Sequence, residues 1–182
     1  MVVGVLSGKT EKTMNETLNQ KQQALVAVAA CEAKDDQKTL ERILDDAFER
    51  GVLTVNEAKE TLSQLYAYTG FPRSLNALAS LQKVVAERRK KNRSVEVGCD
   101  ASPLPDDYDA LKQGAVVQTR MSGKPFDYAF APAVDYYLKA HLFGDIFARD
   151  VLTYSEREIV TVAALSAIDG VEPQLKAPVA GA

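Results

Sequence analysis

Proton transfer and thiol chemistry each need particular side chains, and this chain has few of them. His141, in "KAHLFGDIF", is the only histidine, and imidazole is the side chain whose ordinary charge change falls near neutral pH. Glu158 stands in "YSEREIVTVAALSAI". A glutamate there can act as general acid or base, or, three residues after Ser155, close a capping box on the N-cap N–H. Capping is the plainer role for Glu158, and a structural place among aromatic neighbours is the plainer role for His141. The two thiols, Cys31 and Cys99, form no Cys-x-x-Cys pair, so neither a redox couple nor a disulfide framework is indicated. A zinc site would be short of ligands. Cys31 lies in an apolar run and reads as a small buried hydrophobe; Cys99 lacks a resolving partner.

The elements that must position these residues are helical. Asn19 and Gln22 precede "ALVAVAAC" and predict a capped helix to about Ala33, and Asp36 opens the next. There Leu40, Ile43, Leu44, Ala47 and Phe48 share one face, with Gly51 as a left-handed C-terminal cap. Thr54 and Glu57 cap a third helix that stops at Gly70. Pro72 starts a fourth, with Leu75, Leu78, Leu81, Val84 and Val85 as its buried stripe and "ERRKKNR" complementing the helix dipole at its end. Residues 93–107, with two prolines and a glycine, follow neither period and read as a flexible linker. Helices are then expected over about 108–121 and 131–143, the latter carrying Val134, Tyr137, Leu138 and Leu142. Another runs from the Ser155 cap to Gly170, and a last one is opened by Pro173 and interrupted by Pro178. No stretch alternates with period two long enough for a strand, so the fold class is all-α.

With 182 residues, 46% of them hydrophobic, the chain can bury a core. A formal charge of −3 gives no broad basic field, which argues against nucleic acid as a partner. No apolar run approaches the roughly 20 residues that span a bilayer, and "MVVGVLSGKTEKT" lacks the features of a secretory signal. A cytoplasmic chain with a loose tail over residues 1–18 is the expectation.

The chain contains one pattern twice. Setting Ala24 under Glu158 aligns Val26 with Val160, Val28 with Val162 and Ala29-Ala30 with Ala163-Ala164. The first copy spans residues 19–92; residues 108–182 hold a connecting helix and a second copy that stops during its second helix. "LYAYTGFPRSLNAL" and "LFGDIFARDVLTYSEREIVTVAALSAIDGVEPQLK" resemble the carboxymuconolactone decarboxylase family, whose all-α fold is shared with the alkylhydroperoxidase AhpD. The resemblance covers most of residues 20–182.

It implies an AhpD-like helical repeat, one complete and one truncated copy, that forms homo-oligomers. It also implies a small anionic substrate, such as a carboxylated lactone, handled without metal or organic cofactor. The family's glutamate falls on Glu158, but its histidine falls on Pro178, and the peroxidase branch's two cysteines fall on Val171 and Gln174. In the first copy the glutamate position is Ala24, and the histidine position is Leu44, or Ile43 with a one-residue gap. Glu158 and His141 are therefore the remaining acid–base candidates. The alternatives are a degenerate, non-catalytic oligomer and a thiol peroxidase, which the missing Cys-x-x-Cys disfavours. With Pro178 in the histidine position, little decarboxylase activity is expected, and Pro178→His alone is not expected to restore it.

Overall fold

The computed structural model describes residues 18–179, and among these the regular structure is helical, with no strand. Four helices come first: α1 (Gln20–Ala33), α2 (Gln37–Glu49), α3 (Val55–Thr69) and α4 (Phe71–Lys90). After an extended connector come α5 (Ala110–Ser122), α6 (Pro132–Tyr136), a π-helical segment (Tyr137–Ile146), α7 (Tyr154–Ser166) and α8 (Glu172–Val179). Apart from Leu18, the tail expected over residues 1–18 lies outside the described residues. No described helix is long and apolar enough to cross a membrane.

A single apolar cluster joins both halves of the sequence. Leu25 and Val28 of α1, Leu44 of α2 and Leu62 of α3 are fully buried, and they pack with Val160 and Ala164 of α7. Each such aliphatic side chain contributes roughly 1.5–3 kcal/mol on burial.

The capping boxes at Asn19/Gln22 and Thr54/Glu57 form as the sequence predicts. The third is displaced. Thr153, not Ser155, caps α7: its N–H donates to Glu156 Oε2 at 2.9 Å, and its Oγ1 accepts from the Glu156 N–H at 3.2 Å. Both Thr153/Glu156 and Ser155/Glu158 satisfy the pattern. The earlier pair prevails because Leu152, immediately before it, is anchored in the core, so the chain enters the helix at once. Glu156 also meets Lys21, whose Nζ lies 2.8 Å from Glu156 and 2.6 Å from Glu57, tying the starts of α1, α3 and α7 together.

In α4 the buried stripe is Ser74, Ala77, Ser80, Leu81, Val84, Val85 and Arg88; Leu75 is exposed. The left-handed turn at Gly70 and the Ser74 hydroxyl, which donates to the Leu62 carbonyl at 2.8 Å, set the helix phase and turn Leu75 outward beside exposed Phe71. Arg88, at the beginning of the basic run, is buried and pairs with Asp45 and Glu49 of α2, which Arg93 also holds.

The linker is not loose along its length. The carbonyls of Glu96 and Val97 accept from the first N–H groups of α3, at Val55 and Asn56, both at 2.9 Å. The Asn56 amide donates to Gly98 O, Cys99 O and Asp100 Oδ1. A helix start leaves N–H groups without partners in the helix, and the connector satisfies them. Hydrophobic periodicity cannot register such a contact.

The helix expected over 131–143 is two elements and runs to Ile146. Its π-helical part lies against α5, with glycines at the closest approach: a side chain at Gly114 would meet the Lys139 carbonyl, and one at Gly144 the Ala110 carbonyl. Of the apolar and aromatic residues it carries, Val134 and Tyr137 are exposed. Helix α8 starts one residue before Pro173 and continues through position 178 to Val179. The bond that proline forgoes falls in the last turn, so the helix ends beyond it rather than before it.

Candidate functional site

Two spaces flank α7 and share two side chains. A cavity of about 520 Å³, as open to solvent as the groove beside it, lies among α3, α5, the π-helical segment, α7 and α8; its walls include Tyr68, Met121, Leu138, Leu142, Glu158 and Thr161. An open groove of about 830 Å³ runs between α1, α5 and α7, lined by Val26, Arg120, Met121, Glu158, Ile159 and Val162 among others. Met121 and Glu158 line both, so the spaces meet at these side chains.

Glu158 is half-buried and makes no hydrogen bond or ion pair among the described residues. Burial pushes its carboxyl pKa up, because the charged form loses hydration and gains no partner. Its release from capping, which Glu156 performs, leaves the carboxyl free for chemistry. Arg120 faces the groove with its guanidinium 5.4 Å over the Tyr154 ring, and it makes no ion pair among the described residues.

Behind the cavity α3 and α7 share a polar ladder. Arg157, fully buried, donates to Gln64 Oε1 at 3.0 Å, Glu60 Oε2 at 3.2 Å and the Arg149 carbonyl at 2.6 Å. Arg149 also holds Glu60, at 2.7 Å. The Gln64 amide donates to Thr161 Oγ1 and to the Arg157 carbonyl, each at 2.9 Å. Thr161 Oγ1 lies 3.2 Å from the Tyr68 hydroxyl, and both residues line the cavity. Burial and, secondarily, the nearby Glu158 charge push the Tyr68 pKa up to about 12, against the opposing pull of Thr161 and Arg157. None of the ladder residues is singled out by hydrophobic periodicity or by a motif. The ladder's signal was present: Glu60, Gln64 and Tyr68 recur every four residues on α3, and Arg157 and Thr161 do so on α7, on faces otherwise apolar.

The structure does not bring His141 to Glu158. His141 is exposed on the π-helical segment, its Nδ1 2.8 Å from Asp145 Oδ2 and its ring 5.7 Å from that of Tyr66. It lines neither space, although Leu138 and Leu142 beside it face the cavity. Val171 and Gln174 do line the cavity with Glu158. Ala24 and Leu44 are buried core. Cys31 packs against the core with its thiol pKa pushed up by burial, and Cys99 is exposed. Because Lys21 holds the starts of α1 and α3 together and Cys99 lies at the start of α3, Cys31 is about ten helical residues, roughly 15 Å, farther along. A disulfide needs Cα atoms within about 7 Å, so the pair cannot close in this arrangement.

Compared with models of known protein families the chain matches none, and a comparison with curated proteins also finds no match.

Proposed function

We propose that the chain is a carboxymuconolactone decarboxylase-like protein of the cytoplasm that binds a small, largely apolar organic acid and uses Glu158 as its acid–base group. One observation carries this reading. Three of the four second-copy positions that the sequence resemblance assigns to the site, Glu158, Val171 and Gln174, line one cavity although they come from α7 and from the residues around the start of α8. In that setting a carboxylated lactone loses CO2 as its C–C bond breaks, and the electron pair passes into the lactone. The raised Glu158 carboxyl gives its proton to the carbon and regains one from water. Arg120, on the groove side, is the cation available to the substrate's carboxylate. General acid–base catalysis contributes about a hundredfold or more, and with proline in the histidine position Glu158 acts without that partner.

The test is CO2 release from carboxylated muconolactones, followed with the lactone absorbance. The chain is expected to turn over slowly and Glu158→Gln not at all, while His141→Gln leaves the rate unchanged. Equal rates for the chain and Glu158→Gln would remove the reading.

A second reading, a non-catalytic oligomer, is favoured by a separate observation. The α7 face carrying Ile159, Val162 and Ala163 lines an open groove, whereas the matching face of α1 is covered. Self-association through this face would bury it. Sedimentation at micromolar concentration is then expected to show dimers or larger species, which Val162→Glu would dissociate. A clean monomer without turnover would contradict both readings.

A further inference from the structure

We propose that Tyr68 is the second chemical group of this cavity, a neutral hydroxyl that donates to the substrate oxygen on which negative charge collects. The inference rests on the decarboxylase-like reading for its reaction, but its recognition chemistry is more general: the cavity binds planar oxyanions of the enolate or phenolate kind.

The hydrogens on the ladder decide which groups donate. Gln64 Nε2 donates to Thr161 Oγ1 at 2.9 Å. Thr161 has one hydroxyl hydrogen and two acceptors in reach, the Arg157 carbonyl at 2.9 Å and the Tyr68 oxygen at 3.2 Å. The Arg157 carbonyl also accepts from Gln64 at 2.9 Å, so it keeps a partner when Thr161 turns to Tyr68. The Tyr68 hydrogen is then free to point into the cavity, and the donors run in one direction: Gln64 to Thr161, Thr161 to Tyr68, Tyr68 to the bound oxygen. Aligned hydrogen bonds polarise one another and strengthen the last donor.

The fixed end of this chain is well held. Arg157 grips the Gln64 side-chain oxygen at 3.0 Å, which orients the amide so that its N–H groups face α7. Arg157 is itself fixed by Glu60 and the Arg149 carbonyl. A donor preorganised in this way stabilises charge as it develops, without reorganisation at the moment of reaction. Tyr68 also keeps its proton across the physiological range, since its pKa lies at about 12. No lysine or arginine lines the cavity among the described residues, so the charge-stabilising groups there are hydroxyl and amide donors.

In the reaction, departure of CO2 leaves an electron pair that delocalises onto the lactone carbonyl oxygen. Tyr68 donates a hydrogen bond to that oxygen while Glu158 delivers the proton to carbon. The carbonyl re-forms, and no proton leaves Tyr68.

The experiment uses the whole chain and two probes of similar shape, 4-nitrophenolate and 4-nitrotoluene. The visible phenolate band reports binding of the first, and competition reports the second. The chain is expected to prefer the phenolate. Tyr68→Phe should weaken the phenolate about tenfold or more, as loss of a hydrogen bond to a charged group does, and leave the nitrotoluene unchanged. Because Phe could disturb packing, 3-fluorotyrosine placed at position 68 provides a second variant, with the same shape and a stronger donor; it should tighten phenolate binding. Equal loss for both probes, no loss for either, or no phenolate binding by the unaltered chain would overturn the inference. The outcomes also separate it from the decarboxylase reading. Phenolate discrimination without CO2 release removes only the reaction. Turnover that Tyr68→Phe leaves at full kcat removes only the role of Tyr68.

Discussion

Helices α1 and α7 begin alike and end up facing opposite ways. In the register that sets Ala24 on Glu158, Asn19 falls on Thr153 and Gln22 on Glu156, so the two capping boxes coincide. Yet α1 buries Ala24, Leu25, Val28 and Ala29, while α7 buries Glu156, Arg157, Val160 and Thr161. The matching face of α7, with Glu158, Ile159 and Val162, borders the open groove instead. Both helices carry apolar residues on nearly every side, so their patterns fix where they start without fixing which face turns inward. The neighbours decide that. Around α1 the face is taken by α2 and α3; α7 docks its other face on α1 and α3, where the Arg157 ladder holds it. In that register the core Ala24 of α1 answers to Glu158 of α7, a carboxyl beside a cavity.

Substitutions at matched positions break this comparison most sharply. Ala24→Glu would bury a charge with no partner in the core and is expected to unfold the chain or cost several kcal/mol, whereas Glu158→Ala should leave the melting temperature near or above its starting value, as scanning calorimetry can show. Arg157→Met strips the buried ladder of its centre and leaves Glu60 without one of its two cations. A loss of about 3–5 kcal/mol in chemical denaturation is expected, much more than for Gln23→Met at the matched position of α1. Val28→Ala should cost about 1–3 kcal/mol by opening a cavity, and Val162→Ala less than about 0.5 kcal/mol. Equal costs at the two valines would mean that α7 buries the same face as α1.

The smallest effect is electrostatic. Burial alone would raise the Glu156 carboxyl, but the Lys21 ammonium and the Thr153 N–H outweigh it and hold the pKa below the ordinary 4.5. A depressed folded value stabilises the protein above the unfolded pKa, and that contribution is lost as pH falls through the folded one. Stability should therefore decline in acid below about pH 4.5, and Lys21→Met should flatten the decline. Glu158 has the opposite sign: with its folded value raised, the protein gains stability as pH falls through that value, and Glu158→Gln removes the gain.

Local signals in the sequence were legible where one residue type answers one backbone need. The Asn19 and Thr54 caps, the Gly51 and Gly70 turns and the α1–α4 succession all follow from such needs. Choices between equivalent signals were not legible. Two overlapping capping patterns begin α7, and the one chosen depends on Leu152 and Lys21, which arrive from elsewhere in the chain. The phase of α4 depends on the Ser74 bond to α3, and the π-helical segment on glycines in two elements. Of the candidate site, Glu158 stands out in the sequence because the alignment of the two similar stretches sets a carboxyl where Ala24 stands, whereas its place beside the cavity appears only in the fold. The contact between Tyr68 and Thr161 could not be read there, because it arises only when the four-residue polar stripes of α3 and α7 meet.

The central claim is that Glu158 is a cavity carboxyl without an ion partner. Carbon-13 NMR titration of the glutamate side-chain carboxyls, with the Glu158 resonance assigned by its absence in Glu158→Gln, tests this most directly. The account predicts a midpoint above the ordinary 4.5 that moves when 4-nitrophenolate binds. A midpoint at or below the ordinary value, unmoved by the probe, would mean that the carboxyl is solvated or paired, and Glu158 could not be the acid of this site.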